Sequence, residues 1–229
     1  MSSSTPLGQL LLPLALDDQF TLDNFQPLGE PRRAALAALQ HSAPVMLLVG
    51  APQSGLSHLL QGVAASRDSA VYLPLAELRE FAPEQVLAGL EQCRQLLLDD
   101  VDAVWQQPHW AEALFALYNR CLQSGAGWLA ASHSKITPDA PPLADLASRL
   151  SSGLIFYWPH YSDAELAQLL VARAARRGLT LGAEVTTFLL NRLARQPAAL
   201  MAALEQLDRH SLTTGRAITI PQTKQALAL

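Results

Sequence analysis

Residues 50–57 read Gly-Ala-Pro-Gln-Ser-Gly-Leu-Ser and match G-x-x-x-x-G-K-[ST] at every fixed position except one. Backbone N–H groups in such a loop, helped by the positive end of the helix that follows, hold a diphosphate without side-chain charge. Gly50, Gly55 and Ser57 are in place, and Ser57 has the hydroxyl that reaches a magnesium ion. Leu56 stands where the lysine belongs, which removes the cation for the β and γ phosphates. Binding can survive this loss, whereas hydrolysis by the chain itself is expected to be poor. The alternative is a glycine-rich strand-to-helix turn with no ligand.

About forty residues later, "LLLDD" (96–100) is an apolar strand ending in Asp99, placed to orient a magnesium shell. Asp100 follows where an active ATPase often carries a longer glutamate base. The bland reading is a buried strand whose terminal acid caps a helix.

The elements around these residues follow from hydrophobic pattern. "PVMLLVGAP", "AVYLPL", "CRQLLLDD", "GWLAAS" and "LIFYWP" are short apolar runs, as buried parallel strands are, and helical stretches separate them. Pro31 opens a helix continuing through Leu36 and Leu39, and further helices are predicted over 56–65 and 111–123. After Pro159 the pattern is all helical. Ser162 and Glu165 form an S-x-x-E capping box, Gly178 stops that helix, and others cover about 183–194 and 197–213, with a last one from Pro221. The expected fold is an α/β P-loop domain, a three-layer parallel sheet over 19–160, followed by a small all-helical domain over 161–229. Residues 1–18 are expected to form a flexible tail carrying one hydrophobic cluster.

Composition limits the function classes. The 229 residues are 50% hydrophobic and 16% charged with a net charge of −4, so direct capture of nucleic acid through clustered Lys and Arg is excluded. Cys93 and Cys121 have no metal-ligand spacing and read as core thiols of a cytoplasmic protein. No apolar run is long enough to span a bilayer. The stretch from Leu10 to Leu16 lacks a preceding cation and contains Pro13, so it is not read as a signal peptide. Trp105, Trp110, Trp128 and Trp158 read as core or interface residues.

The order of "TLDNF" (21–25), "GAPQSGLS", "LLLDD", "LYNR" (117–120), "AAS" (130–132) and "LASRL" (146–150), with a helical region behind them, resembles the AAA+ module of the bacterial replication initiator DnaA. The chain stops at Leu229 without room for that initiator's DNA-binding domain, and is therefore similar to the short DnaA-related regulators of initiation. The resemblance covers essentially the whole chain and implies a helical lid at 161–229.

It also implies roles. Arg149 of "LASRL" corresponds to an arginine finger, which here would act in trans on ATP held by DnaA. A surface arginine capping a helix C-terminus is the plain alternative. Phe25 is the implied neighbour of the base and Ser132 the implied sensor, completing a nucleotide set with Gly50, Gly55, Leu56, Ser57 and Asp99. The lid's phosphate-sensing arginine aligns with Ala198, and His133 replaces an acid. With two cations gone, bound ADP is expected over ATP, with magnesium, if present, on Ser57 and Asp99. "QLLLPL" (9–14) resembles the peptide that binds bacterial sliding clamps, with Gln9, Leu10, Leu12 and Leu14 as contacts. A tail folded back on its own domain is the alternative. Phe115 and Asn119 share a helix face and are candidates for touching DnaA, although Phe115 alone also reads as core.

The implied partners are DnaA, the DNA polymerase III sliding clamp, DNA only indirectly, and a further copy of the chain. The implied function is negative regulation of replication initiation, through clamp-dependent stimulation of ATP hydrolysis on DnaA. The competing readings are a DnaA-type adaptor or helicase-loading ATPase that turns over its own ATP, and a non-catalytic scaffold.

Overall fold

The computed structural model describes residues 16–17, 20–40, 45–135, 144–214 and 218–229. The chain divides into two compact units, one ending at Trp158 and the other running from Pro159 to Leu229. The division falls two residues before the one set by the sequence pattern.

The first unit contains α1 (Glu30–Gln40), β1 (Val45–Gly50), α2 (Leu56–Ser66), β2 (Ala70–Pro74), α3 (Leu75–Leu78), α4 (Pro83–Val86), β3 (Gln95–Asp99), α5 (Pro108–Ser124), β4 (Gly127–Ser132), α6 (Ala144–Ser151) and β5 (Leu154–Trp158). The strands form one parallel sheet in the order β2-β3-β4-β1-β5. Alternation along the strands divides the core between two faces. Leu47, Val49, Leu96, Leu98, Trp128 and Ala130 pack with residues of α5 and α6. Met46, Leu48, Leu97, Leu129 and Ala131 face α1 and α2. This is the predicted three-layer arrangement.

Register decides what the sheet presents at its C-terminal edge, where ligands of open parallel sheets bind. Val49 pairs with Ser132, Gly50 with Trp158, and Pro74 with Asp99. Gly50, Asp99 and Ser132 therefore end adjacent strands at one edge. A close approach fixes the backbone there: a Cβ on Gly50 would lie 2.6 Å from Ser54 Oγ and 3.0 Å from Trp158 Cβ. At the opposite, N-terminal edge a Cβ on Gly153 would lie 2.5 Å from the Val45 carbonyl oxygen.

The second unit contains α7 (Asp163–Arg176), α8 (Ala183–Arg192), α9 (Pro197–Thr214) and α10 (Ile220–Leu227), around a core that includes Leu166, Leu170, Leu189, Leu200 and Leu204. The capping box at α7 forms as expected: the Ser162 hydroxyl accepts from Glu165 N, and Ser162 N donates to Glu165 Oε2 at 2.8 Å. A second box, Thr219 with Gln222, starts α10 at Ile220, one residue before the expected Pro221. Several ends fall where the sequence reading puts them, among them Leu56, Gly127, Ser132, Arg176, Ala183 and Pro197, and the others differ by one to three residues. The short helices α3 and α4 were not expected at all. Among the described residues no helix is long and apolar enough to cross a membrane.

Burial pushes the Cys121 thiol up to about 11 and raises Cys93 as well, so both are unreactive thiols near neutral pH.

Candidate functional site

The loop after β1 has the backbone shape of a phosphate cradle. Ser54 N donates to the Ala51 carbonyl at 3.1 Å to close a turn, and Gln53 (φ +62) and Gly55 (φ +97) are both left-handed. Gln53 takes up that conformation at some cost, since it has a Cβ, while glycine takes it freely. Gly55 caps α2 without a side-chain hydrogen bond, so its side offers no acceptor to the first-turn N–H groups. The buried Ser54 hydroxyl has no partner among the described residues. These features fit an anion. Ser57 is half-buried at the start of α2.

Leu56 is 2% exposed and lies in the cluster formed with Leu59, Leu60, Phe25 and Trp158. It is thus an anchor of α2 in the core, where a lysine would point to phosphate.

Asp99 is 1% exposed at the end of β3, and both of its oxygens are already engaged. Tyr72 Oη donates to Oδ2 at 2.8 Å, and Asp100 N donates to Oδ1 at 3.1 Å. Burial first, and then the Asp99 charge, push the Tyr72 phenol far above its ordinary range, so it remains a donor. A magnesium ion at Asp99 would compete with these two bonds.

His133 connects three pieces of the edge. Its Nδ1 lies 2.9 Å from the Gly50 carbonyl oxygen and its Nε2 lies 3.2 Å from Asp100 Oδ1. Both ring nitrogens therefore face acceptors. Full bonding needs two ring N–H groups, or one proton carried by Asp100. His133 N donates to Asp102 Oδ1 at 2.9 Å. Ser132 Oγ donates to the Ser134 carbonyl at 2.6 Å and is 3.3 Å from Asp102 Oδ1.

Burial first, then the neighbouring Asp99 charge, raise the Asp100 pKa, while His133 opposes the shift. The folded chain thus holds the Asp100 proton more tightly than the unfolded chain, whose carboxyl titrates near about 3.9. Its stabilising contribution is complete below that value and is lost as pH rises through the raised folded value. Asp100→Asn is expected to remove that part of the pH dependence and to be at least as stable as the parent at pH 7. Melting temperature followed from pH 4 to pH 7 for both chains checks this.

Phe25 is 5% exposed and lies within the core. Its ring stacks on Trp158 at 5.9 Å and meets the His58 ring edge-on at 5.4 Å. His58 Nε2 is 3.0 Å from the Thr21 carbonyl oxygen, and a Cβ on Gly62 would lie 2.9 Å from Leu22 N, so α2 clamps the incoming segment.

Arg149 lies in the last turn of α6, exposed, and its guanidinium has no hydrogen-bond or ion-pair partner among the described residues. On α5, Phe115 and Asn119 are half-buried, with Phe115 packed on the sheet core. Leu122 continues the same helical face and is 56% exposed. Ala198 is exposed in the first turn of α9. Gln9, Leu10, Leu12 and Leu14 lie outside the described residues.

The edge thus brings together Gly50, Gly55, Ser57, Asp99 and Ser132, and adds residues that the sequence reading missed. Tyr72 lies on a strand and carried no local signal. Arg32, whose Nε donates to the Ser54 carbonyl, is in sequence only one of two adjacent arginines at a helix start.

Comparison with known proteins agrees with this architecture. Residues 163–227 match the family model described as Hda, lid domain. Domain III of the Thermotoga maritima replication initiation protein DnaA superposes with a TM-score of 0.73 at 21% identity, covering 93% of this chain and 98% of that one. AMPPCP-bound DnaA from Aquifex aeolicus gives 0.69 at 20% identity, over 84% of this chain and 66% of that one. The Thermotoga maritima RuvB Holliday junction branch migration motor gives 0.70 at 14% identity, over 91% and 71%.

Proposed function

We propose that this chain, a DnaA-like AAA+ fold whose helical domain is an Hda lid, is a DnaA-related regulator of replication that acts on its partner's nucleotide and not on its own. In this reading Arg149 enters the site where DnaA holds ATP, and the tail residues Gln9, Leu10, Leu12 and Leu14 hold the chain on the DNA-loaded sliding clamp. The observation that carries it is the exposed Arg149 guanidinium, without a partner among the described residues, on a helix of the same domain whose own phosphate loop has leucine in place of lysine. A permanently charged planar fork suits phosphoryl oxygens that gain charge during transfer.

The chain's own cradle supports an adenine nucleotide bound through its phosphates. Gly50, Gly55 and Ser57 would hold them with backbone and hydroxyl donors, and the nucleotide would supply the charge that fills the cradle. ADP fits better than ATP, because neither Leu56 nor Ala198 offers a cation to a γ-phosphate. Asp99, held by Tyr72 and Asp100 N, favours binding with little help from magnesium. Phe115 and Asn119 are the α5 residues that would touch DnaA, and the exposed Leu122 extends their face.

The test follows labelled ATP bound to DnaA, with clamp loaded on DNA, in the presence or absence of this chain. Conversion to ADP that requires both chain and clamp is the expected result. ATP hydrolysis by the chain alone at a comparable rate would favour the self-sufficient ATPase and overturn the proposal.

A further inference from the structure

Arg32 is fully buried, at 0% exposure, and is the one arginine or lysine in the buried set of the described residues. Its Nε donates to the Ser54 carbonyl at 3.1 Å, its Nη1 donates to the Leu28 carbonyl at 3.3 Å, and its guanidinium carbon lies 5.3 Å from the Trp158 ring centroid. Burying a cation costs several kcal/mol beyond what an apolar residue of the same volume would cost, so packing alone does not account for an arginine at this position.

The bond to Ser54 has a geometric consequence. In a trans peptide the C=O and the following N–H point in opposite directions. Holding the Ser54 carbonyl inward therefore turns the Gly55 N–H away from the guanidinium and out of the core. No acceptor among the described residues takes that N–H. Gly55 then leads directly into α2, so its amide joins the first-turn N–H groups of the helix. The grip on Leu28 also ties the loop to the segment that runs from Phe25 into α1.

We infer that Arg32 is a positioning residue for the phosphate cradle: from beneath the loop it aims the Gly55 amide at a nucleotide diphosphate, replacing by orientation and field what Leu56 no longer supplies by contact. This rests on the reading of residues 50–57 as a nucleotide site. In this arrangement Arg32 would act through the Ser54–Gly55 peptide and not by contact with the phosphates.

The test compares ADP and adenosine binding to the full chain by calorimetry, for the parent and for Arg32→Met, with folding followed by circular dichroism. Adenosine has no diphosphate, so the ratio of the two affinities reports the cradle and not the fold. The ratio is expected to fall by about tenfold in Arg32→Met, the scale of one hydrogen bond to a charged group, with adenosine affinity unchanged. An unchanged ratio, or equal losses for both ligands, would overturn the inference and leave Arg32 as a packing residue. If Arg32→Met does not fold, Arg32→Lys serves, because a single ammonium cannot span both carbonyls. Its ratio is expected to fall several-fold, and an unchanged ratio again refutes the inference. A parent chain that binds neither ADP nor pyrophosphate would instead refute the nucleotide reading, a failure visible before any variant is made.

Discussion

Arg149→Ala is expected to lower the clamp-dependent conversion of DnaA-bound ATP by about 10³-fold or more, the range in which arginine fingers supplied in trans operate. The size of the effect comes from where the charge develops. An arginine that meets the transferring phosphoryl group in the transition state contributes there and hardly at all to the ground state, so docking should persist while the rate collapses. Arg149→Lys is expected to recover only a small part, because a compact ammonium lacks the planar fork. The fold should not notice either change. The side chain is exposed and has no partner among the described residues, so stability should remain within about 0.5 kcal/mol of the parent. Single-turnover hydrolysis measured alongside partner binding separates the two effects. Loss of binding in step with rate would reassign Arg149 to docking, and an unaffected rate would remove it from the reaction.

The second large effect is structural. Trp158→Ala is expected to destabilise the first unit by about 3–5 kcal/mol, the usual cost of emptying an aromatic core site. Trp158 is 2% exposed and makes several packing contacts at once. Phe25 stacks on it, Arg32 lies over its ring, and its Cβ sets the limit on Gly50. Its indole N–H has no partner among the described residues, so the loss should come from packing and the Arg32 contact and not from a broken hydrogen bond. Trp158→Phe, which keeps a ring against Phe25, should cost much less. Urea denaturation of both variants checks this, and an alanine variant within 1 kcal/mol of the parent would show that the cluster collapses onto the vacancy. Against a total stability of about 5–15 kcal/mol the expected loss is large.

The contrast between these two residues shows which parts of the molecule could be read in advance. Gly50, Gly55 and Ser57 were legible because strand, loop and helix follow one another in the chain, so spacing alone carries the geometry. The capping box at Ser162 was legible for the same reason. Asp99 could be placed beside the loop by its apolar strand. Its bond with Tyr72 could not, because a strand pattern says which face a side chain takes and not what it meets on a neighbour. The same holds for His133, which reaches the Gly50 carbonyl across 83 positions of sequence. Arg32 was hidden more thoroughly: a charged residue at a helix start is expected in solvent, and only the tertiary fold draws it under the loop. The short helices α3 and α4, four residues each, are too brief to show a helical period.

Leu56 bears on how reversible this design is. At 2% exposure, among Leu59, Leu60, Phe25 and Trp158, it has become part of what holds α2 to the sheet. Returning a lysine to this position would give up about 1.5–3 kcal/mol of apolar burial and bring a second cation close to Arg32. A lysine at this position would have to leave the cluster to reach a phosphate, so Leu56→Lys on its own exchanges packing that holds α2 for a contact the surrounding core does not support.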